Sequence, residues 1–400
     1  LWASSEYDYG LYGTLSSETD TEGRVTSYPV YDAYYLYPRK TDYPDTNDPD
    51  GSGVITHSEQ ILDFDYRFGL PKEHVDQNGT RTLAAYDPFG RPVSTIARDS
   101  ANTLLSEASY YYLDHPDLAT PEPAYARRTV TEPQDGNIVK WTYYDGLGRP
   151  IQATDRWQAS SYRTTRSTYD ALGRMARTDG PYLSNAAAYD SEAPSGSPYT
   201  TQSYDAMGRP TISETLVGNN QLAITNYSYW GFNTQVDDPD GVKRTLTKNS
   251  LGRIFRVLEF IAKDDGSEEI VKTEYAYSSA GGLESVTKSS SDGPFSPDET
   301  LPVEWKMTYN TLGWKLSLDD PDMGHWEYKY AADGQLVQQT DSTGNDVNFA
   351  YDELGRLLEK TYGSDAPTIQ YRYDKAINGI GRLYSVTDEN GSVYCGVEAY

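Results

Sequence analysis

One six-residue pattern, Tyr-Asp-x-x-Gly-Arg, recurs along the chain and constrains its fold more than any other feature. Full copies begin at positions 86, 144, 169, 204 and 351. Asp followed three residues later by Gly is typical of a type I turn that ends in a left-handed residue, a conformation that Gly adopts without strain. Because such turns commonly join antiparallel strands, each copy predicts a hairpin corner. One strand ends at Tyr and the next begins after Arg.

The fixed positions of these five copies are the candidate site residues, and we assign them a structural role as repeat corners. They are Tyr86, Asp87, Gly90, Arg91, Tyr144, Asp145, Gly148, Arg149, Tyr169, Asp170, Gly173, Arg174, Tyr204, Asp205, Gly208, Arg209, Tyr351, Asp352, Gly355 and Arg356. Two roles stay open for the arginines: a solvated side chain, or a bridge to the Asp of the same or the next corner. We expect a β-branched residue at Gly355 to destabilise more than Arg356→Ala, because a positive φ is the harder constraint.

The segments between corners read as short strands. Apolar and polar residues alternate with period two before the corners, as in Val347, Phe349 and Tyr351, which predicts strands with one buried and one solvated face. A second kind of Asp-led turn predicts the opposite ends of the hairpins, as in 76–79, 341–344 and 388–391. Motif tyrosines at 309, 330, 351 and 373 lie 21 or 22 residues apart, so each repeat unit holds two strands and two turns.

These signals predict an all-β chain. A single hairpin is not stable alone, whereas successive hairpins can pair edge to edge into a continuous antiparallel strip. Residues 1–80 form a region of degenerate repeats with inserts, and residues 81–400 form the regular repeat array. The chain begins at Leu1 and ends at Tyr400 without a closing signal, so we interpret it as a piece of a longer polypeptide.

Composition restricts the partners. With 34 basic and 60 acidic residues the chain has a net charge of −26, which argues against nucleic acid and anionic membrane surfaces. No apolar run approaches the roughly 18 residues of a membrane span. The 37 tyrosines and 7 tryptophans favour a folded chain with an aromatic core over a disordered one.

The sequence singles out no reactive site. Counting back from Gly51, the run at 45–51 places Thr46 first and His57 twelfth, which fails the calcium-loop pattern. His57, His74, His115 and His325 lack metal-ligand spacing and are expected to have surface or packing roles. Cys395 is expected to be an inert thiol. We therefore predict no catalytic, cofactor or metal residues and no enzymatic activity; a β-rich glycosidase is the weakest alternative.

The repeated corners at 86–91, 144–149, 169–174, 204–209 and 351–356 resemble the YD repeats of the Rhs family. Long tyrosine-rich inserts and worn repeats are most similar to the shell region of the B and C components of bacterial Tc toxin complexes. The resemblance implies a β-sheet strip that spirals around a cavity and encloses a C-terminal toxin polypeptide. It implies that the enclosed polypeptide and the remaining shell segments, of the same or a partner chain, are the partners. It also implies a secreted or extracellular bacterial protein.

Two qualifications accompany the resemblance. Family shells often end in a segment that cleaves itself at a DPxGL-type motif. The run at 320–324 has the wrong spacing for that motif, so this activity is not carried over. YD repeats also resemble the shells of teneurin-type and wall-associated cell-contact proteins, and a surface adhesion or recognition module is therefore the alternative function.

Overall fold

The computed structural model describes residues 4–48, 51, 53–114, 123–132, 136–158, 161–217, 221–263, 266–291, 302–363 and 368–397. These residues form 31 β-strands and no helix. The strands are β1 (Glu6–Tyr9), β2 (Leu15–Thr19), β3 (Val25–Tyr31), β4 (Pro38–Asn47), β5 (Val54–Asp65), β6 (Leu70–Val75), β7 (Arg81–Tyr86), β8 (Pro92–Arg98), β9 (Leu104–Leu113), β10 (Ala124–Glu132), β11 (Gly136–Tyr144), β12 (Pro150–Gln158), β13 (Ser161–Tyr169), β14 (Met175–Ser184), β15 (Tyr199–Tyr204), β16 (Pro210–Val217), β17 (Gln221–Trp230), β18 (Asn233–Asp237), β19 (Lys243–Lys248), β20 (Ile254–Ala262), β21 (Glu268–Tyr277), β22 (Leu283–Ser291), β23 (Val303–Tyr309), β24 (Lys315–Asp320), β25 (Gly324–Tyr330), β26 (Leu336–Thr340), β27 (Asp346–Tyr351), β28 (Leu357–Tyr362), β29 (Ile369–Tyr373), β30 (Leu383–Asp388) and β31 (Val393–Gly396).

The strands follow one another as an antiparallel meander. In the stretch from β10 to β22, for example, every strand pairs antiparallel with the next in the chain. This arrangement confirms the predicted all-β class and the predicted antiparallel hairpin strip. It also keeps strand pairing local in sequence, because each partner is the neighbouring strand.

A meander places its turns alternately on two edges. Turns after odd-numbered strands carry the Tyr-Asp-x-x-Gly-Arg corners, and we call this side the corner edge. Turns after even-numbered strands include 20–24, 76–80, 238–242, 341–345 and 388–392, and we call this side the polar-turn edge. On both edges the Asp N–H donates to the carbonyl four residues ahead, and the Gly N–H donates back to the Asp carbonyl.

The chain divides into two compact units. Unit 1 contains Leu1–Glu107 and Met307–Tyr400, and unit 2 contains Ala108–Lys306. Unit 1 thus joins the two ends of the chain, which no local sequence pattern indicates. The division at residue 80 concerns how regular the repeats are, and it stays a prediction.

Burial along the strands alternates, but less completely than we expected. In β25, Trp326, Tyr328 and Tyr330 are half-buried while the residues between them are exposed, and β17 shows the same alternation. Among the described residues the buried apolar side chains are few: Phe64, Ala108, Val139, Tyr143, Tyr182, Ile270, Val271 and Ala376. The expected buried face is therefore mostly a half-buried one. Its tyrosines are covered by side chains of neighbouring strands.

Candidate functional site

All five full copies of the motif form the same corner. The Asp N–H donates to the Arg carbonyl at 2.8–3.0 Å, and the Gly N–H donates to the Asp carbonyl at 2.9–3.1 Å. The five glycines have φ values from 75° to 82°, a backbone conformation that residues other than Gly rarely adopt. The strand register shifts by one residue at each motif Tyr, so the corner is a type I turn closed by a glycine bulge.

The Asp carboxylate locks each corner from inside. In the corner at 169–174, Asp170 Oδ1 accepts the backbone N–H groups of Leu172 and Arg174, both at 2.9 Å. The same pair of bonds recurs at the other four copies. The pKa values of Asp145 and Asp205 are lowered, and the largest cause is the hydrogen bond from the backbone N–H of the corner arginine. Partial burial opposes this effect, while the guanidinium and the second backbone N–H lower the pKa further.

Each motif arginine pairs with the aspartate of its own corner. The Nε–Oδ2 distance is 2.6–2.7 Å in all five copies. Two arginines also reach the next corner: Arg174 Nη1 donates to the carbonyl of Asp205 at 3.0 Å, and Arg356 pairs with Asp374 at 2.8 Å. Of the two roles left open by the sequence, the structure therefore contains the bridge.

The motif tyrosine connects each hairpin to the one before it. Tyr204 donates its hydroxyl hydrogen to the carbonyl of Met175 at 2.7 Å. Its ring lies beneath the guanidinium of Arg174, 4.6 Å from the ring centroid. Met175 is the residue after that arginine, so one tyrosine engages both the side chain and the main chain of the preceding corner. We call this pair of contacts the tyrosine latch.

The latch repeats along both units. Complete latches join Tyr169 to Arg149 and Pro150, Tyr229 to Arg209 and Pro210, Tyr277 to Arg253 and Ile254, and Tyr373 to Arg356 and Leu357. The hydroxyl part alone occurs at Tyr31, Tyr86 and Tyr351. Because every latch depends on the preceding corner, the motif fastens successive hairpins as well as closing each one.

Worn copies keep the same backbone with other side chains. Asn249 and Asn310 replace the Asp, and their Oδ1 atoms accept the same two N–H groups. At the corner 331–335, where Ala331 stands in the Asp position, the main-chain bonds are kept. Asp374 closes its hairpin with Arg382 at 3.0 Å around a longer loop. This tolerance is typical of a structural repeat.

Arg356 occupies the most buried of the described corner ion-pair networks. Its side chain is 16% exposed, and its partners Asp352 and Asp374 are 3% and 2% exposed. Burial tends to lower the pKa of Arg356, but the hydrogen bonds with Asp374 and Asp352 outweigh it and raise that pKa. Asp374 itself adopts φ of 69°. A strained backbone and two buried carboxylates thus converge on one guanidinium.

Within unit 1, the polar-turn edge of the N-terminal strands touches the corner edge of the C-terminal strands. Arg24 pairs with Asp333 at 2.6 Å, and Glu22 accepts the N–H of Ala332 at 2.9 Å. Asn78 bonds both the N–H and the carbonyl of Ile380, at 2.7 and 3.1 Å. These contacts join residues about 300 positions apart in sequence, and they explain why the two ends of the chain form one compact unit.

A buried chain of polar groups lies at the same junction. His57, 1% exposed, places Nε2 2.8 Å from Thr46 Oγ1 and Nδ1 2.8 Å from Gln77 Oε1. Asp374 Oδ2 lies 3.8 Å from Nε2. The arrangement resembles a nucleophile with its base, but Thr46 is only 2% exposed, so a substrate has no access. His57 therefore has the packing role expected from the sequence.

The other residues weighed from the sequence lie apart. His74 and His325 are half-buried and exposed respectively, each beside a carboxylate, and Cys395 is exposed. His115 and positions 49 and 50 of the candidate calcium loop lie outside the described residues. Among the residues that are described, no group of three potential ligands lies close enough to hold a metal ion. In the same part of the chain, no helix is long and apolar enough to cross a bilayer.

The loop 185–198 in unit 2 carries no sequence pattern that predicts its position. It lies across the sheet: Tyr143 and Gln152 donate to its carbonyls, and Asp190 returns a bond to Gln152 at 2.8 Å. Gln152 also donates to Thr154, which pairs with Thr164, and both threonines are fully buried. A cavity of about 420 Å³ remains between the loop and the strand residues Arg166, Arg177 and Asp179. Thus the insert covers one patch of an otherwise half-buried face.

Two family profiles match the sequence. Residues 232–394 match the family described as Teneurin YD-shell, and residues 118–223 match a domain of unknown function, DUF6443. No curated protein matches the chain by sequence.

Solved structures with a similar fold come from Tc toxins. A TcdB2–TccC3 structure without its hypervariable C-terminal region superposes with a TM-score of 0.71 at 15% identity, covering 97% of this chain and 25% of that one. A Tc holotoxin pore from Photorhabdus luminescens gives 0.70 at 15% identity, covering 96% and 24%. The chain thus spans about a quarter of the length of these structures. The match of residues 232–394 to the Teneurin YD-shell family and the fold shared with the Tc toxin structures support the resemblance to the YD-repeat (Rhs) shell family that the corner motif indicates.

Proposed function

We propose that the chain is a segment of the wall of a YD-repeat capsule that encloses and protects a toxin polypeptide before delivery. The observation that carries the proposal is the tyrosine latch, which ties each hairpin to the preceding one along both compact units. Such a strip can be extended without limit by adding hairpins. It is suited to building a wall, whereas an active site would concentrate its side chains at one place.

The mechanism is steric. A strip whose strands are paired on both sides hides the unpaired backbone groups that would otherwise recruit other chains. Enclosure within such a wall separates a cargo polypeptide from proteases and from aggregation partners. The remaining wall segments, from the same or another polypeptide, and the enclosed cargo are the proposed partners. The setting is a secreted or extracellular bacterial complex, and no catalysis is assigned to this segment.

Protease protection tests the proposal. The complete protein purified from its source is treated with a nonspecific protease under native conditions. We expect the enclosed cargo polypeptide to survive, and to be digested once urea opens the wall. Digestion of every non-wall segment to the same extent with and without urea would argue against enclosure.

An adhesion module is the second candidate, because exposed aromatic side chains cluster at turns of unit 1. The ring centroids of Tyr12 and Tyr35 lie 4.2 Å apart, with the rings tilted by 40°; the two residues are 64% and 49% exposed, and Tyr34 is 69% exposed. Exposed aromatic rings can stack on sugars or on partner proteins. Glycan-array binding that is lost in the Tyr12→Ser, Tyr35→Ser double variant would favour this candidate. Absence of binding by the parent protein would leave the capsule as the better account.

A further inference from the structure

The environment of the corner edge differs from corner to corner: in unit 1 the corner 86–91 presents Phe89, 76% exposed, whereas two corners of the C-terminal strands are covered. In unit 1, the corners 331–335 and 351–356 have no exposed residue, because the polar-turn edge of the N-terminal strands lies against this part of the sheet. In unit 2, four corners present an apolar side chain at the third position of the turn. These side chains are Leu147, Leu172, Met207 and Leu251, which are 79%, 75%, 78% and 74% exposed.

The comparison of Leu354 with Leu172 isolates the cause. Both occupy the residue before the turn glycine in corners with the same hydrogen bonds. Leu354 is half-buried, and it lines a cavity together with Tyr43 and Pro44 of β4. Leu172 is 75% exposed. The local structure is equal, so the difference comes from what lies opposite the corner.

The backbone of the corners shows the same difference. At 331–335, one of the two covered corners, the N–H of Ala332, second in its turn, donates to the Glu22 carboxylate at 2.9 Å. The corresponding N–H groups of Gly146, Ala171 and Ala206 have no hydrogen-bond partner among the described residues. These three exposed corners therefore each offer a free N–H beside an apolar side chain.

The two edges have complementary chemistry. The exposed corner tips of unit 2 carry no charge at their second and third positions, as in Gly146-Leu147, Ala171-Leu172 and Ala206-Met207. Turns of the polar-turn edge carry acidic or amide side chains there, as in Glu22, Asn78 and Asp240. In unit 1, Glu22 and Asn78 are the side chains that bond the facing corners. Carboxylates and amides accept from free N–H groups, so the one edge fits the other.

We propose that the corner edge of unit 2 is a docking surface for the polar-turn edge of another strip of the same fold. The occupant presents Asp-led turns whose acidic or amide side chains accept the N–H groups of Gly146, Ala171 and Ala206. Leu147, Leu172 and Met207 are buried against it. This inference rests on the proposed wall function, since it names what continues the wall beside unit 2.

Thiol accessibility in the assembled protein tests the docking surface. In a Cys395→Ser background, Leu172→Cys is the test variant, and Leu354→Cys is the matched control at the same turn position. A third variant, Ser228→Cys, reports an exposed position in mid-strand. In the complete protein purified from its source, we expect Cys at 172 to react with maleimide at least about tenfold more slowly than Cys at 228, and at a rate similar to Cys at 354.

The identity of the occupant needs a second measurement. A photo-crosslinker attached to Cys at 172 is expected to mark an Asp-led turn of another strip. Fast maleimide reaction at 172 overturns the proposal, and so does crosslinking to a segment with no such turn. A protein that protects a cargo from protease and yet labels rapidly at 172 refutes the docking surface and leaves the capsule intact. Slow labelling at 172 in a protein that does not protect a cargo supports the docking surface and argues against the capsule.

Discussion

Arg356→Ala is the substitution that most sharply tests the role of the motif arginines. It leaves Asp352 and Asp374, 3% and 2% exposed, without their shared cation. Breaking a buried ion pair by removing one partner costs about 3–5 kcal/mol. Arg356 is itself 16% exposed, so we take the lower end, about 3 kcal/mol, for the loss of stability.

Arg209→Ala is the matched control at an exposed corner. Arg209 is 41% exposed, and its partner Asp205 is 21% exposed. An exposed ion pair contributes about 0–1 kcal/mol, and stacking on Tyr229 adds up to about 1 kcal/mol. We therefore expect a loss of about 1 kcal/mol, roughly 2 kcal/mol less than at Arg356.

The corresponding glycine variants complete the comparison. Gly208 and Gly355 have φ of 82° and 75°, and a side chain there costs about 1–2 kcal/mol, somewhat more when β-branched. At the corner 204–209 the glycine change should therefore be the worse one. At 351–356 the order should reverse, because Arg356 pairs with two buried carboxylates. From the sequence alone we expected a β-branched residue at Gly355 to destabilise more than Arg356→Ala, and the buried ion pairs of Arg356 lead us to predict the opposite order.

Hydrogen exchange of the corner amides is the suitable assay, because it reports each corner separately and does not require a chain with two compact units to unfold in a single step. A difference of about 2 kcal/mol corresponds to roughly 30-fold faster exchange at 352–356 in Arg356→Ala than at 205–209 in Arg209→Ala. Equal effects at the two corners would refute the burial argument. So would a smaller effect of Arg356→Ala than of Gly355→Val.

Three further predictions follow from the corners. Tyr204→Phe removes only the hydroxyl bond of the latch and should cost about 1 kcal/mol, measured as faster exchange in β14 and β15. The pKa values of Asp145 and Asp205 are lower in the folded protein than the unfolded pKa of about 3.9. Their contribution to stability is therefore complete above the unfolded pKa and is lost as the pH falls through the folded pKa, so exchange at these corners should accelerate in acid. Gly180→Ala should destabilise more than Gly208→Ala. A Cβ at 180 would lie 2.6 Å from a backbone oxygen, whereas a Cβ at 208 would have no atom within 4 Å; the urea midpoints of the two variants test the difference.

Each of these has its own contradicting result. Unchanged exchange in Tyr204→Phe would mean that the ring alone holds the latch. Corners whose exchange, corrected for the intrinsic effect of pH, stays constant down to pH 2 would show that the carboxylates do not lock the turns. Equal urea midpoints for the two alanine variants would show that the backbone around Gly180 relaxes freely.

The corners themselves were predictable because their chemistry is local. Asp170 and Gly173 lie three residues apart, and the preference of each for its turn position needs no knowledge of the rest of the chain. The latch was missed because it joins Tyr204 to Arg174, which lie in different hairpins. A signal was present, since Tyr and Arg recur together in every full copy, but the motif alone does not say which Tyr meets which Arg.

Contacts between distant segments lay beyond the sequence reasoning. Leu172 and Leu354 stand in nearly the same motif, yet only the second is covered, by strands about 300 residues away. His57 is buried by partners from three separate segments. The loop 185–198 has no repeat pattern to reveal where it packs. The sequence pattern therefore predicts the repeating hairpin, but it does not predict which hairpins are covered by distant segments.

Electron cryo-microscopy of the complete protein, purified from its source, tests the central claim most directly. The account predicts a hollow particle in which the strands of this chain form part of the wall and weaker density occupies the interior. A solid or extended particle, with these strands surrounding no cavity, would contradict it.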